Sequence, residues 1–297
     1  MPSLAPTSGQ FILWGSRGST PTPGGRFIRH GGNTSCFSLN HDGHQLIFDA
    51  GSGIRELGRL LMEEPPQKLN LFITHTHWDH IQGFPFFTPA YTPGWEIDIY
   101  GAKLLNKPLK SVFKGQLDSD YFPVQMEDMR AHLEFHHLEE ESMQLGDIKL
   151  SWIPTRHPGL TLGYKIEIDG KSIAWFPDNE FLRGRLDPFD NHTREDPAIK
   201  PDGAIIDFLS GVDVLFHEAQ YTDDEYPSKI GWGHSSVGNA CLLAHLAGVK
   251  RWIITHHDPN HDDAFLENKL NITRRLLARL GSSVHVSHGY DGLTEYI

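Results

Sequence analysis

The stretch 74–80 reads THTHWDH, and it puts four potential metal ligands, His75, His77, Asp79 and His80, within six residues. The run Leu71-Phe72-Ile73 just before it is apolar, so the cluster sits where a short strand stops. Alternate residues of a strand share a face, which sends His75 and His77 the same way, and the turn that follows can swing Asp79 and His80 towards them. Three imidazoles and one carboxylate are borderline-to-hard donors, suited to Zn²⁺, Mn²⁺ or iron and not to thiophilic ions. The pattern reads as a metal site.

The elements around it read as follows. A strand over 69–74 delivers the histidines. Upstream, a strand over 11–14 runs into GSRGSTPTPGGRFIRHGGNTS. That loop has neither G-x-x-x-x-G-K-[ST] nor G-x-G-x-x-G opening a helix, so it reads as turns joining two strands and not as a phosphate cradle. Segments 36–39 and 45–49 form a hairpin around Asp42-Gly43. A helix over 53–62, with Ile54, Leu57 and Leu61 on one face, stops at Pro65-Pro66. The segment 101–137, whose short helical fragments are broken by Pro108 and Pro123, is expected to be an insertion beside the site. Then come a strand over 148–154, the pair TLGYKIEI and KSIAWF joined at Asp169-Gly170, and a strand over 212–217. An amphipathic helix over 236–246 closed by Gly248, a strand over 252–255, a helix over 262–280 and a strand over 284–288 complete the chain. LFITHTH and WIITHHD echo one another, both apolar strands ending in Ile-Thr-His. Two similar halves, each delivering ligands from a strand end, would set a metal site between two sheets.

At 297 residues the chain is long enough for one large two-layer domain or two small ones, and a single domain spanning 1–297 is the expectation. Lys and Arg number 26 against 38 Asp and Glu, a net charge of −12, which argues against a long polyanion as partner because nucleic-acid affinity rests largely on neutralising phosphates. The two cysteines, Cys36 and Cys241, are too few for a disulfide framework and are expected as buried small hydrophobes. MPSLAPTSGQ shows no secretory pattern, and no apolar run reaches membrane-span length, so the expected compartment is the cytoplasm, with no membrane partner. No feature speaks to oligomeric state.

THTHWDH matches the H-x-H-x-D-H signature of the metallo-β-lactamase superfamily, and the resemblance extends over nearly the whole chain. DAG at 49–51 resembles that superfamily's structural aspartate turn. The resemblance implies an α/β fold, a four-layer αββα sandwich, with a dinuclear site. His75, His77 and His157 would hold one divalent ion, Asp79, His80 and His256 the other, and Asp178, in FPDNE, would bridge them; zinc is the first expectation, with manganese or iron as alternatives. His257 is the rival of His256, which is preferred because it directly follows the apolar strand. His136 and His137, in HLEFHHLEEES, read as solvated and not as rivals of His157. His30, His41 and His44 are expected to be non-ligands, and His285 and His288 are left unassigned.

HEAQY at 217–221 and GHSS at 233–236 resemble the His-Glu-Ala-Thr and His-Ser-Thr motifs of the phosphodiesterase branch, which includes tRNA 3′-processing enzymes and cyclic-nucleotide phosphodiesterases. Gln220 and Ser236 replace the threonines. The resemblance implies that His234 binds the substrate phosphate and that Glu218 holds His234 as a cation beside it, so Asp79, Glu218 and His234 form the expected catalytic set. A carboxylate favours the charged imidazole, which can donate a proton to a leaving group. The tRNA-processing relatives carry a long arm between the positions matching His157 and Asp178, where this chain has one compact hairpin. The expectation is a cytoplasmic, metal-dependent phosphodiester hydrolase with a small-molecule substrate such as a cyclic nucleotide. A thioester or lactone hydrolase on the same scaffold is the alternative enzyme, and a non-catalytic metal-binding regulator is the alternative of another class.

Overall fold

Asp42-Gly43 and Asp169-Gly170 both take positive φ at each residue (46° and 79°; 49° and 74°), the backbone that a two-residue type I′ hairpin turn requires. The structure is a computed structural model and describes residues 9–103, 107–186 and 192–297. In chain order the strands are β1 (Gln10–Gly15), β2 (Cys36–His41), β3 (His44–Phe48), β4 (Lys68–Phe72), β5 (Glu96–Ala102), β6 (His132–Leu138) and β7 (Ser142–Leu145). They continue with β8 (Ile148–Pro154), β9 (Leu162–Ile168), β10 (Lys171–Phe176), β11 (Val214–Glu218), β12 (Arg251–Thr255), β13 (His285–His288) and β14 (Leu293–Tyr296). The helices are α1 (Ile54–Leu61), α2 (Trp78–Ile81), α3 (Leu109–Gln116), α4 (Gly203–Phe208), α5 (Val237–Ala247) and α6 (Asp263–Arg279). None of the described helices is long and apolar enough to cross a membrane.

The chain divides into two units, the first comprising residues 1–23, 31–141 and 290–297. Its sheet runs β14-β1-β2-β3-β4-β5-β6, antiparallel as far as β3 and parallel from β3 to β6. Helix α1 buries Ile54, Leu57, Leu60 and Leu61, each such side chain worth about 2 kcal/mol. It turns Arg55, Glu56 and Arg59 to solvent, where their ion pairs add little. The expected insertion at 101–137 is built differently. Its ends lie in β5 and β6, which pair in parallel, and Leu109, Phe113, Leu117 and Met126 sit in this unit's core. The segment is therefore the crossover between two sheet strands. Its strand signal was hidden because β6, HLEFHHL, alternates exposed and half-buried residues at the sheet edge. Cys36 is fully buried, and burial pushes its thiol well above the ordinary value.

Asp291 ties the two ends of the glycine-rich loop within this unit. Its Oδ1 accepts from Ser16 N and Oγ, both at 3.0 Å, and its Oδ2 accepts from Asn33 N at 2.9 Å. Gly31, at φ 86°, is required beside it, since a Cβ there would lie 2.1 Å from Asp291 Cγ. Burial pushes the Asp291 carboxyl up to about 6. A folded value above the unfolded one favours the folded state below about 3.9, and that contribution is lost as pH rises through the folded value. The loss is on the order of 3 kcal/mol. In metal-free protein, the wild-type minus Asp291→Asn difference in unfolding free energy, measured in urea, should shrink by that amount between pH 4 and pH 7. A difference that does not change with pH would contradict it.

The second unit comprises residues 24–30 and 142–289. Its sheet runs β13-β12-β11-β10-β9-β8-β7, an antiparallel meander from β7 to β10 followed by parallel strands to β13. Helix α5 begins where the Ser236 side chain accepts from Asn239 N, and it ends at Gly248 with φ 63°; both are ordinary capping devices. The amphipathic expectation for it is corrected, because residues 237–244 are buried on every face, with α4 and α6 packed against it. A helix of AVGNC-type small and apolar residues cannot show a polar stripe. Asp262 caps α6 in the same way as Ser236 caps α5. Cys241 is buried here, with its thiol raised by desolvation.

Candidate functional site

In the first unit the metal-ligand cluster begins after β4 has ended. Thr74 donates its N–H and hydroxyl to Asp49 Oδ1 at 2.8 and 2.9 Å, drawing the chain off the sheet. His75 and His77 thus sit in a loop, and strand alternation is not what aligns them; His77 is the N-cap of α2, which carries Asp79 and His80. The loop still brings the four together. The His75 ring lies 4.4 Å from that of His77 and 4.3 Å from that of His80, and His80 Nε2 lies 3.4 Å from Asp79 Oδ2. Asp49, in a left-handed backbone (φ 62°), accepts from His80 Nδ1 at 2.9 Å, so Nε2 is the nitrogen available to a metal. The glycine-rich loop does more than turn. Ser19 N–H donates to Asp79 Oδ2 at 2.7 Å, orienting that carboxylate.

The second unit gathers its residues at the C-terminal ends of neighbouring strands, where open α/β sheets place ligand sites. His157 follows β8, Asp178 follows β10, Glu218 ends β11 and His256 follows β12. Asp178 Oδ1 lies 3.3 Å from His256 Nε2, 3.6 Å from His234 Nδ1 and 3.8 Å from His157 Nδ1. The rings of His234 and His256 stack at 5.0 Å. His157 Nδ1 donates to Gly233 O at 2.8 Å, and His256 Nδ1 donates to Gln220 Oε1 at 3.2 Å. In both cases the bond at Nδ1 makes Nε2 the candidate donor to a metal. Gln220, a departure from the family motif, thereby orients the His256 ring. His256 holds φ 52°, a backbone that non-glycine residues rarely adopt and that concentrates at functional positions. His257 faces elsewhere: its Nε2 donates to Gly289 O at 3.1 Å, and its ring packs on His288 and His30. His136 stacks on Tyr100 in the first unit.

Glu218 is fully buried. Its Oε1 accepts from His234 Nδ1 at 3.1 Å, Asn179 N at 3.2 Å and Ser235 N at 3.1 Å, and its Oε2 accepts from Gln220 N at 3.1 Å. His217, the neighbouring residue, is structural. It donates Nδ1–H to Glu218 O and accepts from Asn179 Nδ2, and burial holds it below the ordinary histidine value and neutral.

Two positioning residues carry no obvious sequence signal. Buried Glu180 accepts from Tyr226 Oη and from the N–H groups of Gly231 and Gly233 at 2.8–3.1 Å, fixing the loop that leads into His234. Buried Lys269, on α6, donates to Ala219 O and Gln220 O at 2.8 and 3.3 Å, fixing the turn that carries Gln220. Glu180 could have been suspected from its place in FPDNE, whereas a lysine in an otherwise ordinary helix offers no hint.

The donor chemistry fits divalent metal ions. Within the second unit, ligand atoms of His157, Asp178 and His234 all lie within 4.8 Å of one another. In the first unit the four clustered side chains supply the same nitrogen and oxygen donors. A sheet-borne set of histidines and aspartates with its outer nitrogens committed to protein acceptors defines a class of metallohydrolase scaffold. The chain belongs to the beta-lactamase superfamily, whose domain model matches residues 44–257, and it is a hydrolase of that superfamily. It is similar to a ribonuclease Z of Ignicoccus hospitalis, 22% identical over 91% of this chain and 94% of that protein. Among solved structures, the metallo-β-lactamase fold protein YhfI of Bacillus subtilis matches with a TM-score of 0.65 at 17% identity, covering 96% of this chain and 98% of that one. A diphosphatase of the PhnP family matches with a TM-score of 0.64 at 21% identity, covering 97% and 98%. These likenesses establish the metallo-β-lactamase fold, with two mixed sheets flanked by helices.

Proposed function

We propose that this protein is a metal-dependent phosphodiesterase acting on a small nucleotide diester such as a cyclic nucleotide. The observation that carries the reading is the Glu218–His234 pair, 3.1 Å apart, with His234 3.6 Å from Asp178. A simple metal-binding module has no use for such a pair, whereas a reaction that expels an alkoxide needs a proton donor. In this reading His75, His77, Asp79 and His80 of the first unit and His157, Asp178 and His256 of the second are the side chains that would hold divalent ions. Bound there, such ions supply an activated water and charge against the phosphate oxygens. His234 meets the phosphate and protonates the leaving oxygen, Glu218 holds its ring in place, and Asp49 and Gln220 keep His80 and His256 turned to their ligand nitrogens. The similarity to a ribonuclease Z and to a diphosphatase supports phosphate ester chemistry.

The ribonuclease Z similarity also favours a second reading, cleavage of an RNA. The small substrate is preferred for two reasons. The interval between His157 and Asp178 is filled by β9, a two-residue turn and β10, with no arm to grip an RNA, and the net charge is −12. The deciding experiment is a panel on metal-reconstituted protein: 3′,5′- and 2′,3′-cyclic nucleotides, bis(p-nitrophenyl) phosphate, a precursor tRNA with a 3′ trailer, a thioester and a lactone. Turnover of the cyclic nucleotides well above the others is expected. Preference for the precursor tRNA would establish the second reading, and turnover of the thioester or lactone alone would overturn both.

A further inference from the structure

The loop entering His234 carries more than that residue. Trp232 is 56% exposed, unusual for the largest apolar side chain, and it sits on a segment held rigidly from two sides. Glu180 accepts the N–H groups of Gly231 and Gly233 that flank it, and Gly233 O accepts from the ligand histidine His157. Both glycines have positive φ, 87° and 91°. A Cβ on Gly233 would lie 2.3 Å from His157 Nδ1, so only glycine lets the loop press this closely on the site. Lys229 Nζ lies over the Trp232 ring, 4.0 Å from its centroid, and 5.9 Å from the Tyr221 ring. Tyr221 in turn meets His234 edge-on at 6.0 Å. All of these residues belong to the second unit. They form a cationic-aromatic wall that begins at the proton donor and ends in an exposed indole.

We infer that Trp232, stiffened by Lys229 and by the Glu180 clamp, is a specificity-determining residue that stacks on the nucleobase of the substrate. The inference rests on the phosphodiesterase reading of the same site and narrows the substrate class to diesters that carry a base. A solvent-facing indole held on a fixed backbone loses little entropy on stacking, and every base presents a π-face to it. The ammonium on one face adds a cation–π contact that keeps the ring in place and supplies positive charge beside an anionic ligand.

The test uses two probes, adenosine 5′-monophosphate and inorganic phosphate, titrated into the zinc-loaded protein by calorimetry. Trp232→Ala should weaken adenosine monophosphate about tenfold and leave phosphate within about twofold, with zinc content unchanged. Trp232→Phe should recover most of the loss. Equal nucleotide affinity in wild type and Trp232→Ala, an equal loss for both probes, or a wild type that binds the nucleotide no more tightly than phosphate would each overturn the assignment. Failure of the phosphodiesterase reading shows elsewhere, as wild-type protein that turns over no diester in the panel.

Discussion

His234→Ala should cut turnover of a cyclic nucleotide by about 10²- to 10⁴-fold while leaving metal content and fold intact. Its ring is held at Nδ1 by Glu218 at 3.1 Å, so on the proposed reading Nε2 is the atom that would meet the leaving oxygen. A proton donor matters most when the leaving group is a poor one. The loss should therefore be larger for a cyclic nucleotide, which expels an alkoxide, than for bis(p-nitrophenyl) phosphate, which expels a stabilised phenolate. Glu218→Gln keeps the shape of the side chain and should give a smaller loss than His234→Ala, because it removes charge but leaves an acceptor for His234. The measurement is kcat on both substrates for both variants, with metal analysis alongside. Wild-type rates on every diester in His234→Ala would remove the proton-donor role.

Legibility in the sequence was uneven, for physical reasons. The cluster of donors at 75–80 is legible because its chemistry is carried by residue type and spacing, both written locally. Their alignment is not legible, since the hydrogen bonds from Thr74 to Asp49 that bend the chain off β4 join residues far apart in sequence. The same holds for Ser19 on Asp79, Gln220 on His256, Glu180 on the 231–233 backbone and Lys269 on the turn at 219–220. Each is a long-range contact with no periodicity to reveal it. Hairpins with Asp-Gly turns and capped helices were legible because turn and cap chemistry are local. Strands β6 and β14 were not, being short or edge-placed with polar alternation. Helix α5 was recognised as a helix but misjudged in its burial, because burial on all sides depends on what packs around it.

Asp178→Ala should lower metal affinity by at least about 100-fold, more than loss of an outer-sphere partner would, and reduce activity with it. Asp178 Oδ1 lies within 3.3–3.8 Å of His157, His234 and His256 in the second unit. Removing it takes from His157 and His256 the carboxylate that faces both, and less negative charge would remain to hold cations there. Metal binding is also folding free energy, because the unfolded chain offers no assembled site. The wild type should therefore lose several degrees of thermal stability when treated with a chelator, and Asp178→Ala should lose much less, since it has less bound metal to give up. Asp178→Asn separates charge from shape. It keeps an oxygen donor but cannot neutralise a pair of ions, so it should fall between wild type and Asp178→Ala in metal content. The readouts are metals per chain by elemental analysis and the chelator-induced shift in melting temperature, neither of which depends on knowing the substrate. Two metals retained per chain in Asp178→Ala would overturn the assignment of Asp178 as a metal ligand.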